Sequence, residues 1–195
     1  MGTVSLGERT EGIAFTPDSK FAYVAVTDNN VVAVIEVSSM EVVKTITNVG
    51  NKPTCITIDP EGNFAYISDI NSGAITIIDI STNQVSGNIS LASVEDCCEG
   101  LCLQVTPDGT TLYVVYSTSV VAIDLSTNQI VKTINTNGNG WAECLAITPD
   151  GEFVYVSNVD PTAITPNPPI SIIEVSSNTV VDENIVAGDG PYGIA

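Results

Sequence analysis

The chain has no histidine, five basic residues, and aromatic side chains at only 6% of its 195 positions. Lack of histidine removes the side chain that most often serves as general base near neutral pH. Two other catalytic signatures are missing, the Gly-x-Ser-x-Gly nucleophile elbow and the glycine-rich phosphate loop ending in Lys. The five cations, Arg9, Lys20, Lys44, Lys52 and Lys132, are scattered and face 23 acidic residues, for a net charge of −18. Such a field repels nucleic acid and anionic membrane and leaves little to bind a phosphorylated substrate. A solubilising surface is the plain reading of this charge; attraction of cations or basic partners is the other. No apolar run approaches the roughly 18 residues of a membrane span, so membrane insertion is not expected. No signal peptide is visible in the segment, because no basic stretch leads into an apolar one near residue 1.

With few aromatics but 44% hydrophobic residues, the core has to be built from Val, Ile and Ala, a mix that favours strands. Those strands are organised around one motif written four times. It reads Thr148-Pro149-Asp150-Gly151 through Tyr155, with earlier copies at Thr16-Pro17-Asp18-Ser19 to Tyr23, Asp59-Pro60-Glu61-Gly62 to Tyr66, and Thr106-Pro107-Asp108-Gly109 to Tyr113. The prolines lie 43, 47 and 42 residues apart, and a tyrosine follows each by six positions. A period of this length with strands inside each unit predicts propeller blades.

Residues 54–91 show one unit in full. Strands are expected at 54–58, 64–68, 74–80 and 84–91, joined by turns at Asp59-Pro60-Glu61-Gly62, 69–73 and Ser81-Thr82-Asn83. Hairpin-length loops between four strands make one antiparallel sheet. The expected fold is therefore all-β, a β-propeller of four-stranded antiparallel blades. Blades are placed at about 12–49, 54–91, 101–136 and 143–187. Residues 1–7 read as the last strand of a preceding blade and 191–195 as a first-strand stub, giving one propeller domain or propeller fragment over 1–195. Three arrangements could cover the end sheets: a closed four-bladed ring, a homodimer completing a larger ring, or a segment of a longer protein. The third strands end on Glu36, Asp79, Asp124 and Glu174, each followed within three positions by Ser or Thr. These acids are expected to cap tight turns. Two insertions break the period: 93–100, and the proline-rich 160–169, which is expected to protrude as a loop.

Aligned in this way, the chain resembles the YVTN-repeat family of β-propellers. The signature strand reads Tyr23-Val24-Ala25-Val26, Tyr66-Ile67-Ser68-Asp69, Tyr113-Val114-Val115-Tyr116 and Tyr155-Val156-Ser157-Asn158. The Val-Gly-x-Pro-like link is best kept at Val49-Gly50-Asn51-Lys52-Pro53, partly at Gly188-Asp189-Gly190-Pro191, and Trp141 replaces the proline in the third link. The resemblance implies a surface-layer-like, cell-surface or secreted protein that takes part in adhesion or interaction. Members usually carry about seven blades, and related propellers include sugar-lactone hydrolases.

Candidate sites follow from the alignment. Cys55, Cys102 and Cys144 each stand five residues before a repeat's proline, a slot that Gly12 and Gly193 fill elsewhere. Thiols at one level of successive first strands suit a soft metal such as Zn or Cu(I), or else fill a crowded position as small buried residues. Cys97 and Cys98 are adjacent, and a disulfide from either to Cys102 or Cys144 is the alternative to thiols throughout. The links from fourth to first strands share one mouth, which gathers Glu11, Glu99 and Glu143 with Trp141 and Tyr192. Exposed aromatics among polar loops anchor recognition, and carboxylates there suit Ca²⁺; an ordinary solvated rim is the plainer reading. No cofactor is expected. Non-enzymatic recognition of a protein or glycan through this mouth is the function expected, with a lactonase-like or other hydrolase, centred on a carboxylate or metal near the axis, as the alternative.

Overall fold

The computed structural model describes residues 2–92, 102–136, 141–159, 169–186 and 194. These form sixteen strands in four four-stranded antiparallel sheets and one short 3-10 turn, with no α-helix among the described residues. The chain divides into two compact units, residues 1–95 and 96–195.

Unit 1 holds two sheets, each a simple meander. The first is β1 (Thr10–Phe15), β2 (Phe21–Val26), β3 (Val31–Glu36) and β4 (Glu41–Ile46). The second is β5 (Pro53–Ile58), β6 (Phe64–Asp69), β7 (Ala74–Asp79) and β8 (Gln84–Ser90). Unit 2 repeats the plan. Its first sheet is β9 (Leu103–Val105), β10 (Thr111–Tyr116), β11 (Ser119–Asp124) and β12 (Gln129–Asn135). Its second is β13 (Trp141–Ile147), β14 (Phe153–Val159), β15 (Pro169–Glu174) and β16 (Thr179–Val186). Of the segment 1–7, read from the sequence as a last strand, residues 2–7 are described and join no sheet. The 191–195 stub lies outside the described residues except for Ile194.

The repeated motif is explained by its turns. In three copies the threonine hydroxyl donates to the aspartate two positions on, at 2.7 Å for Thr16–Asp18, 2.6 Å for Thr106–Asp108 and 2.5 Å for Thr148–Asp150. The second copy inverts the parts: Asp59 stands in the threonine slot and accepts from the Asn63 and Phe64 amides. The last turn position is left-handed in every copy, at Gly62, Gly109 and Gly151, with Ser19 accepting the same geometry at φ 59°. Glycine there carries no steric cost.

The tyrosine six residues after each proline has a specific task. Tyr23 is 1% exposed, and its hydroxyl reaches Asn83 Oδ1 of the neighbouring sheet at 2.5 Å. Tyr113 is fully buried and donates to Asn178 Oδ1 at 2.6 Å. Both asparagines sit in the left-handed position of a third-to-fourth-strand turn, at φ 52° and 51°. A buried phenol thus ties one blade to the turn of the next, and burial pushes both hydroxyl pKa values up to about 12. The acids that end the third strands do cap their turns. Asp79 accepts from Ser81 Oγ and the Thr82 amide, Asp124 from the Ser126 amide and hydroxyl, and Glu36 and Glu174 from Ser39 and Ser177.

Among the described residues each unit has a largely aliphatic core. Unit 1 packs Tyr23, Val32, Val34, Ile46, Ile56, Ile67 and Ile78. Unit 2 packs Tyr113, Val115, Val120, Ile134, Leu145, Val154 and Ile173.

Candidate functional site

In each antiparallel sheet the link into the first strand and the turn between second and third strands lie at one end. That end is the mouth. The motif turns and the acid-capped turns lie at the other. The mouth is where the repeat departs most from uniformity.

In unit 1 the mouth is built on the link 49–53. Thr27 Oγ1 donates to Pro53 O at 2.9 Å, and Asn30 Oδ1 accepts from the Lys52 amide at 2.7 Å. The amides of Ile70 and Asn71 donate to Lys52 O and Asn51 O. Beneath the link lies Asp69, the last residue of β6 and 3% exposed. Its Oδ2 accepts from Thr76 Oγ1 at 2.6 Å, while the Gly50 amide donates to the same hydroxyl at 3.2 Å. Asp69 Oδ1 is buried with no hydrogen-bond partner among the described residues. Burial raises this carboxyl to about 6 despite the threonine bond, as expected when the charged form loses water. A Cβ at Gly50 would overlap Asp69 Cγ and Oδ2, so the link glycine is required by the packed carboxyl. Glu11, on β1, pairs with Arg9 at 2.6 Å.

Unit 2 has the same slots with other chemistry. Asn158, next to last in β14, stands where Asp69 ends β6, and Ser171 stands where Thr76 does; Asn158 Nδ2 donates to Ser171 Oγ at 3.0 Å. Ser171 Oγ in turn donates to Thr136 O at 2.6 Å, again gripping the incoming link. The other two sheets place apolar pairs here, Val26 with Ala33 and Tyr116 with Val121, all buried. Sequence reading missed this alternation. Its signal was present in the last letter of the signature strand, polar in two copies and apolar in two.

Trp141 opens β13 and is 55% exposed. Its strand is anchored at the mouth by the Ala142 amide donating to Ser117 O at 2.9 Å. Glu143, two residues on, is half-buried. Between Ala142 and Cys144 the pairing with β14 slips by a residue, and Ser157 Oγ fills the gap by accepting from the Cys144 amide at 3.2 Å. The same bulge recurs in β5, where Ser68 Oγ accepts from the Cys55 amide at 3.1 Å. The structure thus brings Trp141, Glu143 and Cys144 onto one strand end, with Cys102 against it: the Cys102 and Cys144 sulfurs are 2.6 Å apart. Cys55 and Glu11 belong to unit 1. Glu99, Tyr192, Cys97 and Cys98 lie outside the described residues, as does the 160–168 segment. No group of three or more His, Cys, Asp or Glu side chains is arranged for a metal among the described residues.

A shallow cleft of about 510 Å³ on unit 1 also went unread in the sequence. It is lined by Lys44, Thr45, Ile46, Thr47, Asn48, Asn83, Gln84 and Val85. It is polar and has no aromatic wall.

A family model described as Lactonase, 7-bladed beta-propeller matches residues 6–105, which span both sheets of unit 1 and the first strand of unit 2. No curated protein matches the chain. Among solved structures, the Kuenenia stuttgartiensis hydrazine synthase is similar with a TM-score of 0.83 and 20% identity, over 96% of this chain and 53% of that one. The chain spans about half the length of that structure, and at this identity the likeness shows the fold, a β-propeller, and nothing of the activity.

Proposed function

We propose that this chain, which belongs to the family of propellers described as Lactonase, 7-bladed beta-propeller, is a recognition module that holds a neutral, oxygen-rich sugar ring of a surface-associated glycan against Trp141. The observation that carries this reading is the exposure of Trp141 at a rigid strand end. A large aromatic face left in water forgoes its burial energy, and on a rim of polar loops it is the type of side chain that anchors a partner. Its strand is held on both sides, by Ser117 O and by the bulge at Ser157, so little ordering cost falls on binding. Glu143 beside it supplies an acceptor for ligand hydroxyls. A net charge of −18 turns away anionic ligands and sets up no such repulsion against uncharged, hydroxyl-rich ones.

Binding of neutral oligosaccharides, followed by calorimetry on wild type and Trp141→Ala, tests this. The account expects saturable binding that weakens at least about tenfold in the variant, roughly 1.4 kcal/mol. Equal binding by both proteins, or saturable binding of proteins but no glycan, overturns it.

The family description favours a second reading, hydrolysis of a lactone. With no histidine in the chain, activation of water would fall to a carboxylate or a metal, and Glu143 is the acid at the described mouth of unit 2. Proton release from simple sugar lactones, compared between wild type and Glu143→Gln, decides it. Turnover lost in the variant supports hydrolysis, and no turnover above the buffer rate in wild type rejects it.

A further inference from the structure

Cys102 and Cys144 stand in equivalent slots of neighbouring blades of unit 2, on the segments leading into β9 and along β13. Their sulfurs are 2.6 Å apart, about half an ångström beyond the roughly 2.05 Å of a disulfide. Each half-buried thiol is oriented by backbone. The Leu145 amide donates to Cys102 Sγ at 3.4 Å, the Cys102 carbonyl accepts from the Val115 amide at 2.9 Å, and the Cys144 amide is fixed on Ser157. The equivalent pair in unit 1 is Gly12 and Cys55, and there a Cβ on Gly12 would already overlap Thr54 O. Only unit 2 has made room for two sulfurs.

We propose that Cys102 and Cys144 are a redox-active dithiol that is oxidised to a disulfide by low-molecular-weight disulfides, stapling the inner edges of two adjacent blades. Cys144 is the attacking group. The Cys102 thiol donating to it, with help from the Ile194 and Leu145 backbone, lowers its pKa to about 6 against an opposing push from burial and from Glu143, so it is largely thiolate at neutral pH. The Cys144 thiolate attacks one sulfur of the small disulfide, forming a mixed disulfide and releasing one small thiolate, which takes up a proton. Cys102 then loses its proton and attacks the Cys144 sulfur, displacing the second small thiol. Two protein thiols are oxidised to one disulfide while one small disulfide is reduced to two thiols. The sequence left a disulfide from Cys97 or Cys98 open as the competing partner for either cysteine, and those two lie outside the described residues.

The chain's glutamates make the assignment direct. Cleavage after glutamate separates residues 42–61, 96–99, 100–143 and 144–152, so Cys55, Cys97 with Cys98, Cys102, and Cys144 fall on four peptides. The native protein is incubated with oxidised glutathione, alkylated, digested without reductant and weighed. The expected product joins 100–143 to 144–152 at 2 Da below their sum. It disappears on reduction with dithiothreitol and forms equally in the Cys97→Ser/Cys98→Ser variant. Three results would overturn the proposal: a link from 96–99 to either peptide, both cysteines fully alkylated after oxidant, or glutathione retained on Cys144 without transfer to Cys102.

Discussion

The two units are copies of one plan with different chemistry buried at corresponding points. In unit 1 the polar pair beneath the mouth is Asp69 with Thr76, which titrates; in unit 2 it is Asn158 with Ser171, which does not. In unit 1 the inner-strand slot holds Gly12 against Cys55, which cannot be bridged. In unit 2 the slot holds Cys102 against Cys144, with sulfurs in contact. The hydrogen-bond scaffold around each keeps its parts: a hydroxyl grips the incoming link, accepting from the Gly50 amide in unit 1 and donating to Thr136 O in unit 2, and a serine from the second strand fills the bulge of the first. Repeats tolerate this because each slot contacts only its neighbours. A change of acid to amide, or glycine to cysteine, is absorbed locally and leaves the blade intact. Unit 1 should therefore respond to pH and unit 2 to oxidant.

The largest effect expected in breaking the comparison comes from the inner-strand slot. Gly12→Ala drives a methyl into the Thr54 carbonyl and the Cys55 backbone, and should cost about 3 kcal/mol in urea unfolding, as overpacking against backbone does. Cys102→Ala, in the same slot of unit 2, removes a sulfur from a space built for it and should cost only about 1 kcal/mol. Equal costs would show that the slots are not distinguished by room.

Next in size is the titrating pair. The folded Asp69 carboxyl titrates at about 6, above its unfolded value near 4. Between those values the folded protein keeps a proton that the unfolded chain has released. Stability therefore falls as pH rises through 4 to 6, by roughly 2 to 3 kcal/mol, and the loss is complete above about 6. Asp69→Asn copies the amide found at Asn158. The variant should lose that slope and be more stable than wild type at pH 7, measured by urea midpoints across the range. A slope that survives the substitution would assign it to another group.

Smallest, and intended to show no difference between units, are Tyr23→Phe and Tyr113→Phe. Each deletes one buried hydroxyl from the bond to a turn asparagine and should cost about 1 kcal/mol. Matched losses would support the shared plan; a loss in one unit alone would deny it.

Much of the blade was legible because local chemistry dictates it. The proline turn, the tyrosine six residues later and the acid ending the third strand each report a backbone geometry that needs those side chains, and the strands stand within a few residues of their expected places. The mouth was less legible. Gly50 read as a link residue, and only the packed carboxyl of Asp69 shows why a side chain is forbidden there. The alternation of Asp69 and Asn158 with Val26 and Tyr116 was visible as letters, but its meaning depends on which link each one meets. Cysteines at one level could be aligned from spacing, whereas a 2.6 Å approach between Cys102 and Cys144 depends on how two blades pack. Glu99, Tyr192, Cys97 and Cys98 fall outside the described residues.

The central functional claim rests on Trp141, and the chain's lone tryptophan makes it directly observable. Intrinsic emission should be that of a solvent-facing indole and should shift to shorter wavelength on titration with a neutral oligosaccharide, with a midpoint matching the calorimetric one. Emission that stays unchanged while a glycan binds would contradict the account, because the ligand would then sit away from Trp141.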